Sequence, residues 1–189
     1  MSHLTIFRHC ATSKTANQPI LKSAVPDEIK NYLAERGIGF ERWPAKVDLG
    51  KDASSTEILA AYSQEIAATQ TKGDYPVVDA IRVTPDHPDR IALRQKFLSE
   101  HIHVENEVRF FVEGRGLFCL HINDEVLQIL CEQDDWISVP AGTKHWFDMG
   151  ENPNFSAIRF FNNPDGWVAE FTGDQIATVY PLLEVDNSY

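Results

Sequence analysis

Residues 99–114 read SEHIHVENEVRFFVEG. Two histidines a single residue apart, a glutamate and an arginine stand beside a run of apolar residues. In an extended strand, residues two apart share a face, so His101 and His103 point the same way. Glu107 and Arg109 have the same parity and join that face if a short turn over Val104–Asn106 returns the chain to strand. Burying such a cluster is costly unless its charges and lone pairs are matched. Two imidazoles and a carboxylate on one inner wall suit a first-row divalent cation. A further ligand must come from another strand. His145, in SVPAGTKHWF (residues 138–147), follows a Pro-Ala-Gly turn that leads straight into a strand.

The surrounding pattern supplies those strands. From about Val77 the chain runs through VVDAIRV, EVRFFVE, GLFCLHI, EVLQILCE, WISVP, KHWFDM and SAIRFFN, punctuated by Gly, Pro, Asn and Asp. Asn123-Asp124 offers a hairpin turn. Many short strands at close intervals predict an antiparallel barrel or double-sheet jelly roll. Upstream, PDEIKNYLAERG predicts a helix, with Pro26 at its first position, Ile29 and Leu33 four apart, and Gly37 at its end. SSTEILAAYSQEIAATQ predicts another, opened by Ser54 and Glu57 in capping-box spacing and carried by Ile58, Tyr62 and Ile66. GIGFERWPA, between them, reads as a loop or short strand with Phe40 and Trp43 in the core. The expected fold class is mainly β with accessory N-terminal helices. It is one domain over residues 1–189: a partly helical 1–76, a barrel core at 77–167 and an extension at 168–189 whose pattern is not decisive, GDQIATVYPLLE being compatible with packing along the barrel.

Composition narrows the function. The chain has 189 residues, 43% hydrophobic and 24% charged, ordinary values for a globular protein with a real core. No apolar run approaches the ~20 residues of a membrane helix, and the first residues carry no secretion-signal pattern. The three cysteines, Cys10, Cys119 and Cys131, lack metal-type spacing, and the latter two fall in strands as small buried hydrophobes. A reducing, cytoplasmic location is expected. The formal charge of −11 opposes nucleic-acid binding. It also repels small anions, so an anionic substrate needs a local positive charge, for which a bound cation is the obvious source. His3, His9, His87 and His121 receive no role, because nothing in the sequence pairs them with the cluster.

HxH, a Glu after three residues, a Gly after six more, then PxG with a His three residues on, make up the two-part cupin signature. Cupins are jelly-roll barrels, in agreement with the strand pattern. Two positions depart from the generic motif: Asp134 stands where Gly is usual and Met149 where Asn is frequent. More specifically, SEHIHVENEVRFFVEGRGLF, with GIGFERWPA upstream and VPAGTKHWFDMG and AIRFF downstream, resembles the acireductone dioxygenase family of methionine salvage, from about Gly37 to Trp167. The resemblance implies His101, His103, Glu107 and His145 as ligands of one Fe²⁺ or Ni²⁺ per chain. It further implies that Glu100 assists metal incorporation, Asn106 transmits local conformational change, and Arg109 generates or stabilises the substrate dianion. Phe97, Phe147, Arg159 and Trp167 would wall the substrate pocket, although core packing alone explains aromatics in a barrel.

The ligand chemistry agrees with that reading. Three neutral imidazoles and one carboxylate around a dication leave a net charge of +1, and an octahedral ion keeps two open positions. An enediol that loses its protons is a bidentate oxygen donor for both, and Arg109 offsets the extra negative charge. The implied reaction takes acireductone (1,2-dihydroxy-3-oxo-5-methylthiopentene) and O2 to formate and 4-methylthio-2-oxobutanoate with iron. With nickel it gives formate, CO and 3-methylthiopropanoate. A monomer is expected. The ligand set alone also suits another small-molecule cupin dioxygenase or isomerase, or a cupin that only binds its ligand.

Overall fold

The computed structural model describes residues 1–9, 18–50, 52–163 and 168–183. In chain order these form β1 (His3–Arg8), β2 (Pro19–Ser23), α1 (Pro26–Ala34), β3 (Gly39–Arg42), α2 (Ser55–Ala61), α3 (Ser63–Lys72), β4 (Val77–Val83) and α4 (Arg90–Phe97). They continue as β5 (His101–Ile102), β6 (Glu107–Ile122), β7 (Glu125–Glu132), β8 (Asp135–Val139), β9 (Lys144–Asp148), β10 (Phe155–Phe161) and β11 (Glu170–Phe171), then a 3-10 turn at Ile176–Val179. One layer runs β11-β5-β9-β6-β7-β1-β2; β6 also pairs β8 and β10, which pair β3 and β4 in turn. Every pairing is antiparallel. The result is the expected mainly-β jelly roll with N-terminal helices.

β6 is the hinge of this arrangement. EVRFFVE and GLFCLHI read as separate strands, but they form one strand of 16 residues. Its first half pairs with β8 and β10 and its second half with β7 and β9. The change of sheet falls near Gly114, whose φ is +67°; a Cβ there would lie 1.8 Å from the Asn154 carbonyl oxygen. Only glycine allows that approach, so the residue that reads as punctuation is a bend within the strand. Both faces of the first half are covered, which explains its unbroken apolar run. Phe111 and Phe118 pack between the layers with Leu4, Ile6, Leu127, Ile137, Phe147 and Phe155. Phe110 and Val112 lie on the opposite side beneath Ile58, Tyr62 and Trp136.

The N-terminal elements follow their local rules with two differences. α1 begins with Pro26 in its first turn and buries Ile29 and Leu33, and Gly37 follows it at φ +77°. The Ser54–Glu57 capping box forms as expected. The single helix read through Tyr62 is instead two, since Tyr62 leaves helical geometry at φ −115°, ψ 28°. Its ring is buried edge-on against Phe110. In addition, β1 and β2 join the sheet through β7, and α4, which carries no fully buried residue, rests Leu93 and Phe97, four apart, against the core. Asn123, at φ 52°, makes the β6–β7 turn as expected. Asp134, at φ 83°, takes the left-handed conformation that suits the glycine usual there. Its carboxylate accepts from the Ala45 amide and Arg42. Cys119 and Cys131 are fully buried, and Ile176, Ala177 and Tyr180 of the C-terminal extension pack on Trp146 and Phe7. Cys10 and Trp167 lie outside the described residues.

Candidate metal centre

β5, the start of β6 and β9 bring the ligand candidates together. His101 and His145 are direct cross-strand partners. The turn between β5 and β6 is held by His103, whose carbonyl accepts from the Gly142 amide, and by Asn106, whose side-chain oxygen accepts from the Ala141 amide. The turn that precedes His145 is thus tied to the turn that precedes Glu107. His101, His103, Glu107, Arg109 and His145 are all buried.

Each histidine is oriented in the same manner. Nδ1 of His101 donates to the Ser99 carbonyl at 2.7 Å, that of His103 to the Val168 carbonyl at 2.9 Å, and that of His145 to the Thr143 carbonyl at 2.8 Å. A carbonyl only accepts, so each neutral ring carries its proton on Nδ1 and presents an unprotonated Nε2 to the interior. The three rings offer donor atoms that all lie within 4.8 Å of one another. Glu107 Oε2 faces two of these nitrogens, at 3.0 Å from His145 and 3.2 Å from His103. Lone pairs converging in a buried space repel unless a cation lies among them. Three nitrogens and one carboxylate therefore fit a divalent ion of intermediate softness.

The protonation tendencies differ between the rings in the absence of an ion. Burial and the neighbouring His145 ring push the His101 imidazole down to about 4, favouring the neutral ligand form. Burial also opposes charge on His103, but the Glu107 carboxylate outweighs it and raises that group. Burial alone would raise Glu107; Arg109 and the two imidazoles overcome this and hold the carboxyl well below its usual range.

Arg109 is anchored from three sides. Its guanidinium lies 2.8 Å from Glu107 Oε1 as an ion pair, and 4.8 and 5.1 Å from the ring centres of Phe147 and Phe118. Gly116 makes room for the first ring, since a Cβ there would stand 2.2 Å from Phe147 Cζ. A cavity of about 340 Å³ opens onto the three histidines, Glu107 and Arg109, with Phe97, Phe147 and Arg159 among its walls.

Glu100 lies apart from this cluster. Buried at 1% exposure, its carboxylate accepts from Thr172 Oγ1 at 2.8 Å and approaches His121 Nδ1 at 2.9 Å. His121 Nε2 in turn meets His9 Nδ1 at 2.7 Å. His9 and His121, left without a role by the sequence, thus join a hydrogen-bonded chain whose Glu100 end adjoins His101. The only sequence signal was the shared parity of His121 and Cys119, which does not identify a partner 21 residues away.

The family model described as the ARD/ARD' family matches residues 6–169. A protein from Prochlorococcus marinus (strain MIT 9313) named acireductone dioxygenase is 64% identical over 184 residues, covering 97% of this chain and all of that one. One of the same name from Synechococcus sp. (strain RCC307) is 61% identical over 183 residues, covering 97% and 99%. Among solved structures, acireductone dioxygenase from Bacillus anthracis with a cadmium ion in its active center is similar at 27% identity and a TM-score of 0.76, covering 90% of this chain and 98% of that one. With a profile match over most of its length and relatives this similar from end to end, the chain belongs to the ARD/ARD' family.

Proposed function

We propose that the chain is a metal-dependent acireductone dioxygenase in which His101, His103, Glu107 and His145 hold one divalent ion, Fe²⁺ or Ni²⁺. The observation that carries this reading is the convergence of three Nδ1-tethered imidazoles on Glu107 at the floor of a cavity, with Arg109 alongside. When bound, the ion supplies Lewis acidity and a template for two substrate oxygens.

The protein's own groups do the rest. Arg109 is a fixed positive charge in a site screened from water, so an enediol hydroxyl beside it loses its proton more readily, and the resulting anion is stabilised without solvent reorganisation. The rings of Phe118 and Phe147 keep that guanidinium in one orientation. Val77, Phe97, Phe147 and Phe161 give the cavity an apolar wall against which a methylthio tail is bound and water excluded. Arg159 lies on the same wall, and Trp167 is assigned to it by resemblance. Asn106 joins the two ligand-bearing turns, which suits a part in passing local movement between them. Glu100 anchors the strand that carries His101 and assists metal loading through it. We assign the enzyme to the cytoplasm as a single-domain monomer acting on acireductone and O2.

Metal analysis of the purified protein, then anaerobic addition of acireductone followed by oxygen, tests the reading. Apo-protein reconstituted with Fe²⁺ should give formate and 4-methylthio-2-oxobutanoate. With Ni²⁺ it should give formate, CO and 3-methylthiopropanoate. Identical headspace CO from well-loaded iron and nickel forms would refute control of the products by the metal.

A further inference from the structure

Three charged residues stand side by side across adjacent strands at the cavity. In the antiparallel registers, Arg109 of β6 is opposite Arg159 of β10, and Arg159 is opposite Asp79 of β4. Direct cross-strand partners share a face, and all three line the cavity, together with the exposed Lys96 of α4. Like charges directly opposite destabilise a sheet, so the Arg109–Arg159 pair needs a counter-charge. Arg109 has Glu107. Arg159 has Asp79, to which Nε donates at 2.8 Å and a terminal nitrogen at 2.5 Å, one bond to each carboxylate oxygen.

This two-pronged pair has a chemical consequence for the cavity. A guanidinium fork matches a carboxylate, as it does a phosphate, with two parallel hydrogen bonds. The iron reaction turns an enediol into two carboxylates, formate and a 2-oxo acid, inside a cavity whose cationic side chains outnumber its carboxylates. An unengaged second guanidinium would hold those products. Asp79 is a resident carboxylate that already fills the fork. It lies toward solvent, its side chain 42% exposed against 23% for Arg159, so the pair is only partly desolvated and competes on modest terms. Arg109, buried between two rings and paired with a metal ligand, is left to face the enediol.

We propose, on the dioxygenase reading above, that Asp79 is a specificity-determining residue: it occupies Arg159 and so keeps the cavity from capturing carboxylate anions, the products included. The group excluded is a carboxylate-bearing small molecule; the enediol substrate, which has no carboxylate, is unaffected by the blockade.

The probe is 4-methylthio-2-oxobutanoate, added as an inhibitor of oxygen uptake by iron-loaded wild type, Asp79→Asn and Asp79→Glu. In Asp79→Asn its inhibition constant should fall about three- to fivefold, the size of a partly solvated ion pair. Asp79→Glu should stay near wild type, and the double variant Asp79→Asn/Arg159→Gln should return to it. Inhibition by the uncharged methyl ester should be the same in all. Asp79→Ser repeats the test if Asn at position 79 prevents folding. An unchanged inhibition constant in the charge-removing variants, or an equal gain for acid and ester, would overturn the proposal. Calorimetric titration of the metal-free proteins with the same acid reads carboxylate affinity without turnover. Wild type that fails to oxidise acireductone would thus count against the dioxygenase reading alone, and equal affinities against the role of Asp79 alone.

Discussion

Glu107 Oε2 and His145 Nε2 lie 3.0 Å apart although 38 residues separate them in the chain. His145 is set opposite His101 of β5 and Leu120 in the second half of β6, and its preceding turn is tied to His103 and Asn106 just before β6. His145 Nδ1 is committed to a carbonyl, so in the neutral ring the nitrogen that meets Glu107 carries a lone pair, and a cation between the two groups would match the pairing.

Removing one of the histidines should therefore remove the ion. His145→Ala, and equally His101→Ala or His103→Ala, is expected to lower metal content and abolish oxygen uptake with acireductone. Elemental analysis beside an oxygen electrode measures both. Normal metal content with full activity in His145→Ala would sink the four-ligand assignment.

On the proposed function Arg109 serves the substrate rather than the ion, so Arg109→Ala should keep its metal and lose turnover by about 10²–10³-fold, the usual loss of a preorganised charge-stabilising group. Arg109→Lys should recover only part, because a point charge does not reproduce the planar guanidinium between two rings. Anaerobic titration with substrate, following the absorbance of the dianion, separates binding from turnover. A wild-type dianion signal in Arg109→Ala would take Arg109 out of the mechanism.

Gly116 should act at a distance on the same step. A methyl at this position meets Phe147 Cζ at 2.2 Å, and the displaced ring is one of the two that orient Arg109. Gly116→Ala is expected to destabilise the fold by about 1–3 kcal/mol, as overpacked cores do, and to weaken the dianion signal while ligand residues and metal content stay intact. Denaturant unfolding together with the absorbance titration checks both. Wild-type values in each would show that Phe147 has room to move.

A stability effect of pH should arise outside the candidate ligand set, at Asp135. This fully buried carboxyl accepts from Ser2 Oγ and the Glu132 amide, yet burial pushes it up to about 6 from an ordinary 3.8. With the folded value above the unfolded one, the folded state binds the proton more tightly. The associated stability is present below the unfolded value and is lost as pH rises through about 6. The loss is on the order of 2–3 kcal/mol for a shift of this size. Urea unfolding of metal-free protein at pH 4 and pH 7 should show a gap that Asp135→Asn reduces by about that amount. An unchanged gap would remove Asp135 as its source.

Much of the candidate site's assembly was legible in the chain. The period-2 rule put His101, His103, Glu107 and Arg109 on one face, and the Pro-Ala-Gly turn pointed to His145, because facing direction and turn geometry are local properties of the backbone. The Ser54 capping box and the Asn123-Asp124 turn were readable for the same reason. Other features were not. β1 and β2 are short, and their strand character shows only once β7 is there to pair with. α4 spans two turns, and its one apolar pair, Leu93 and Phe97, is only partly buried, which leaves a short signal among charged neighbours. Gly114 reads as a break, and only contact with Asn154 makes it a bend within one long strand.

By itself, then, the sequence determined which side chains share a face and where the chain turns, since neighbouring residues settle both through backbone geometry. Which distant residues meet was decided by tertiary structure: His145 with Glu107, His121 with Glu100, Asp79 with Arg159 and through it Arg109. Each of those meetings depends on strand register. Register is set collectively, by burying the apolar faces of two sheets against each other, and a shift of one residue would turn every one of these side chains away from its partner.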